Sequence, residues 1–142
     1  MRHLLLGIAA LGIGCVAPNP IPSSPATTTP VLVAAEFALT NYVDESTRTH
    51  GVVCVELDRA DDPAKVLQRL APLAKRLSVD RSDCAGRTEP SAILSIGPPQ
   101  VAGEQARVDV GVVRGSAGML ELERRQGAWQ VVRVTSPWIS LR

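Results

Sequence analysis

The chain has 142 residues, 45% of them hydrophobic and 3% aromatic, and a formal net charge of +1. That length holds one domain and little else, and that apolar content buries a core, which excludes wholesale disorder. With Arg2 set aside as part of a leader, fourteen Lys and Arg face fourteen Asp and Glu, and neutrality without a basic tract excludes a nucleic-acid binder, whose affinity rests on neutralising phosphates.

Met1-Arg2-His3 and the apolar run from Leu4 to Gly14 have the charged start and short hydrophobic core of a secretory signal. The run falls short of the roughly 20 apolar residues a membrane-spanning helix needs. It closes on Gly14-Cys15, and here the segment resembles the bacterial lipoprotein signal, in which a small residue precedes an invariant Cys. Gly12 stands where that family usually has Leu, with Leu11 one place further back. The resemblance implies that residues 1–14 are a removed signal peptide and that Cys15 is lipidated. It would carry a thioether-linked diacylglycerol and an amide-linked acyl chain such as palmitate, enough for stable anchoring in a lipid bilayer. The implied location is the bacterial cell envelope, on the periplasmic or surface side. The alternative is a secreted protein cleaved after Ala17, which would place Pro18 at the first mature position, where proline obstructs that peptidase.

Residues 15–30 then form a tether, with Pro18, Pro20, Pro22, Pro25 and Pro30 favouring an extended chain without hydrogen-bonded structure. A single domain follows over 31–142. Thr29-Pro30 is a cap-plus-proline helix start, and Leu32, Ala35, Leu39, Tyr42 and Val43 recur at helical spacing, predicting a helix over about 30–44. The polar run from Asp44 to His50 ends it. Gly51 to Leu57 is a short apolar run of strand length, and Asp62-Pro63 opens a second helix that Pro72 must end. Leu77 to Ser82 predicts a short edge strand leading to Cys84. Ala92 to Ile96 is a strand broken by Gly97-Pro98-Pro99 before Gln100 to Ala102, a kink that starts the curvature of a sheet.

The remainder predicts three successive antiparallel strands. Ala106, Val108, Val110 and Val112 alternate with Arg107, Asp109 and Gly111, and Leu120 and Leu122 alternate with Met119, Glu121 and Glu123. Trp129 to Thr135 is the third strand, with the Gly115-Ser116-Ala117-Gly118 and Arg125-Gln126-Gly127-Ala128 links as turns. The fold class is therefore α+β: two helices of the N-terminal half packed on a curved antiparallel sheet of about five or six strands that ends in a three-stranded meander. This element order resembles the cystatin-like and nuclear-transport-factor-like folds, which implies a sheet wrapped around a helix.

With Cys15 given to lipid, Cys54 and Cys84 remain as an even pair in an oxidising compartment, which predicts a disulfide contributing about 3 to 4 kcal/mol by the chain-entropy model. The competing reading is a reactive thiol with His50 as its base. Four residues of extended strand would hold the two side chains about 13 Å apart, too far for proton transfer. His50 lacks partners at zinc or triad spacing, and no metal or cofactor is expected. The available acidic pairs are Asp61-Asp62, Asp80 with Asp83, and Glu121 with Glu123; Asp62 is a helix cap, and Glu121 and Glu123 share a face with Arg107 and Asp109, predicting a wet surface crossed by ion pairs. Trp129 and Trp138 are core anchors or the lining of a ligand pocket. The chemistry available is that of a binding or interaction module without catalysis, its partner being a protein, an envelope polymer or a small apolar ligand. The alternatives are a curved-sheet enzyme with a carboxylate or His50 in its cavity, and a structural or assembly protein.

Overall fold

Helix α1, Pro30–Tyr42, begins as expected, with the Leu32 N–H donating to the Thr29 hydroxyl at 3.2 Å and Pro30 in the first turn. The computed structural model describes residues 28–58, 62–86, 88–113 and 117–135. The expected leader, Cys15, nearly all of the expected tether and Trp138 lie outside them. The buried face of α1 is Val31, Ala34, Ala35, Ala38 and Leu39, a stripe rotated from the expected one. Leu32, Val33, Phe37 and Tyr42 flank it, half-buried, so a helix apolar on nearly every side leaves its packing face to tertiary fit. Three alanines on that face let the helix axis approach the sheet closely.

The polar run after α1 is a second helix. In α2, Glu45–His50, Asp44 is the cap: the Thr47 N–H donates to one carboxylate oxygen at 2.8 Å and the Thr47 hydroxyl to the other at 2.7 Å. Gly51 then passes so close to Pro90 that any Cβ would collide with the Pro90 carbonyl, which fixes glycine there. Strand β1, Val52–Leu57, leads to α3, Pro63–Leu70, capped by Asp62 and ended before Pro72. Strand β2, Leu77–Ser78, pairs parallel to one side of β1, and strand β3, Ser91–Ile96, pairs parallel to its other side.

This parallel pairing is the main departure from the expected sheet. Among the described residues the sheet has seven strands, and it is mixed because the chain crosses from β1 over α3 to β2 and then from β2, through the segment holding a 3-10 turn at Arg81–Asp83, to β3 on the other side of β1. Crossovers on opposite faces bury β1 on both sides. Val53 and Val55 face α1 and α3, while Val52 and Cys54 pack with Cys84 and Ile93 behind the sheet. The unbroken apolar run of β1 is the signature of such a strand.

From β3 onward the pairing is antiparallel. Strands β4, Gln100–Ala102, and β5, Gln105–Val112, form a hairpin, and β3 and β4 lie end to end along the same edge of β5. Ile96 faces Val110 and Gln100 faces Arg107, so the Gly97-Pro98-Pro99 kink inserts one extra residue, a bulge. Strands β6, Ala117–Arg125, and β7, Ala128–Val134, complete the meander through a turn in which Gln126 and Gly127 both have positive φ, 52° and 79°. Turns of that hand match the twist of the strands they join. Sheet order is β2-β1-β3-β5-β6-β7. The α+β architecture with its terminal meander is as expected. Ala106, Val108, Val110, Val112, Leu120 and Leu122 all face α1, and Trp129 joins them at 6% exposure.

Candidate functional site

The face of the meander turned away from α1 is organised by register. Gln100, Arg107, Glu121 and Arg133 stand opposite one another across four strands, and Ala102, Gln105, Glu123 and Gln130 form the adjoining row. In the first row the Arg133 Nε lies 2.8 Å from one Glu121 carboxylate oxygen as an ion pair, and an Arg107 Nη lies 3.7 Å from the other. In the second, Arg125 donates to Glu123 at 2.7 Å. The wet face crossed by ion pairs is therefore present, with Glu121 its most sheltered carboxylate, at 18% side-chain exposure against 59% and 71% for its two arginines.

Arg133 reaches this face through an irregularity. Strict alternation from Trp129 and Val131 would send Arg133 into the core. Glu121 pairs with Arg133 but Leu122 with Val131, so Val132 is an extra residue that reverses the phase of the strand. The same bulge leaves Val132 44% exposed. Together the rows and their rims enclose a groove of about 540 Å³, with Val101, 54% exposed, on the β4 side and Val132 on the β7 side. The floor is charged and amidic. Sequence reasoning found Arg107, Glu121 and Glu123 but missed Gln100, Val101, Val132 and Arg133. The one available signal was a cation where alternation demands an apolar side chain.

A second hollow, of about 370 Å³, lies beside Cys84 and is lined by Arg81, Ser91, Ile93 and Val113. Cys54 and Cys84 are joined in a disulfide with Cα atoms 6.1 Å apart, in agreement with the expected pairing. Both are buried, and His50 is exposed at the end of α2 with its Nδ1 2.8 Å from the Thr49 hydroxyl. Asp80 caps the 3-10 turn, where the Ser82 hydroxyl and N–H hold it below the ordinary carboxylate range; the Thr47 hydroxyl and N–H do the same for Asp44. Trp129 lines neither hollow. Its ring sits in the core with the Arg124 guanidinium 4.9 Å above it, which spends the aromatic on packing and a cation–π contact.

Among the described residues no cluster of three His, Cys, Asp or Glu side chains is placed to hold a metal ion, and no helix is long and apolar enough to cross a membrane. No protein-family model, curated protein or solved structure matches this chain.

Proposed function

We propose that the chain is a membrane-anchored envelope lipoprotein, with Cys15 lipidated, a proline-rich tether behind it, and the α+β domain acting as a binding module. The observation that carries the reading is the groove on the wet face of the meander, where Arg107 and Arg133 share Glu121 and, among the described residues, leave most of their N–H donors unengaged. Such a floor suits a polar chain, a protein or an envelope polymer, better than a small apolar ligand, because its lining is charged and amidic and Trp129, the tryptophan among the described residues, is packed in the core. The envelope address is supported by the leader ending on Gly14-Cys15 and by the Cys54–Cys84 disulfide, since such bonds persist in oxidising compartments.

Mass spectrometry of the membrane fraction of a bacterial host tests the anchor. The expected product is a di- or triacylated peptide beginning at Cys15 together with a Cys54–Cys84 crosslinked peptide. A mature chain beginning at Pro18 would replace the anchored reading with a secreted one.

A further inference from the structure

Strand β7 ends the sheet. Its only strand neighbour among the described residues is β6, whereas the opposite end is the two-residue β2. Arg125 and Ala128 close the two-residue hairpin, so by the antiparallel alternation Trp129 and Val131 turn their N–H and C=O groups to the open side. An open edge is a template for another extended chain, and the chemistry along it decides which chain it takes.

The charge order supplies that chemistry. Across β5, β6 and β7 the row reads Arg107, Glu121, Arg133, and opposite charges on facing residues stabilise an antiparallel pair. The next position in the row, beyond Arg133, is complemented by a carboxylate. Strand β7 carries no acidic residue, so a second copy pairing edge to edge brings none. Residues 1–27 and 136–142 contain no Asp or Glu side chain either. The bulge at Val132 and the cation at Arg133 further discourage pairing with a like edge.

We propose that β7 accepts an extended acidic peptide of a partner protein as an added strand, with a carboxylate set against Arg133 on the wet face and apolar side chains beside half-buried Val131 and Val134 on the other. The inference rests on the domain being a binding module but not on the lipid anchor. Backbone pairing along Trp129 and Val131 supplies affinity, and Arg133 at the groove rim supplies selectivity.

The test uses the purified full chain and a short peptide of alternating Val and Glu, compared with the Val/Gln peptide and with a Val/Glu peptide N-methylated along its pairing edge. Binding is followed by fluorescence anisotropy at low and high salt. The Val/Glu peptide should bind about fivefold more tightly than Val/Gln, the size of one well-placed cross-strand charge pair. That preference should vanish in Arg133→Gln, an exposed position at which the fold is kept. Amide exchange should slow at Trp129 and Val131 when the Val/Glu peptide binds, and the N-methylated peptide should not bind. Equal binding of the Val/Glu and Val/Gln peptides would remove the charge selectivity, and undiminished binding of the N-methylated Val/Glu peptide would reduce the site to plain anion attraction; either result would overturn the proposal. Self-association of the chain that the Val/Glu peptide does not compete with would assign the edge to a second copy instead. If these peptides fail while Cys15 is found acylated, the anchored-lipoprotein reading stands without this partner; if they bind with Cys15 unmodified, the edge site stands without the anchor.

Discussion

The two ends of the sheet are built on different physics. The meander end, β5 to β7, joins strands that are neighbours in sequence through tight turns, buries one face under α1 and leaves the other wet. The parallel end, β2-β1-β3, joins strands through long crossovers, buries β1 on both faces and adds a disulfide across its back. Local pairing announces itself as alternation, while non-local pairing appears as a bare apolar run. A wet face in the first region can hold a recognition surface; the second region has little face to spare.

Breaking the shared core should have the largest effect. Leu94 on β3 is fully buried where the two ends meet, and Leu94→Ala should cost about 2 to 5 kcal/mol by denaturant unfolding, with the loss felt in both ends. Removing the disulfide by a Cys54→Ala and Cys84→Ala double substitution should cost about 3 to 4 kcal/mol, since the bond closes a loop of 30 residues. Hydrogen exchange should accelerate first in β1 and around Arg81–Asp83, with β5 and β6 following only through global unfolding. Simultaneous acceleration throughout would mean that the two ends open as one unit.

Capping effects are smaller. Thr29→Ala removes the side-chain acceptor for the Leu32 N–H and should cost about 1 kcal/mol, read from the urea midpoint. Asp44 and Asp80 are held below their ordinary pKa of 3.8 in the folded chain, so each contributes stability that is fully present above that value and is lost as pH falls through the lower folded value. A urea midpoint followed downward from neutral pH should therefore fall in acid, and less steeply in Asp44→Asn. The smallest effect should be on the wet face of the meander. Glu121→Gln breaks two ion pairs whose arginines are solvent-exposed, worth less than about 1 kcal/mol, so it should leave the midpoint nearly unchanged and reduce its dependence on salt. A large loss there would show that the row is a structural clasp.

Much of the helical and meander structure was legible because its signals are local. Thr29-Pro30 and Asp62-Pro63 start helices wherever a chain allows it, and the β5 and β6 alternations persist because a one-residue slip would turn every apolar side chain outward. Helix α2 was missed because its polar residues carry no apolar stripe; one capping aspartate and a buried Thr47 make it. The groove was half legible. Arg107 and Glu121 keep phase, whereas Arg133 joins them through a bulge that alternation cannot anticipate.

Length, charge, the helix starts, the cysteine pairing and the inward face of the meander were determined by the sequence by itself, because composition, capping and period-two patterning act within a few residues and Cys54 and Cys84 are the two cysteines that follow Cys15. Which face α1 buries, the parallel placement of β1, the burial of Trp129 and the meeting of Arg107, Glu121 and Arg133 were decided only by the tertiary structure. Each of these depends on which distant backbone lies alongside, and crossovers and bulges set that through packing of the whole sheet.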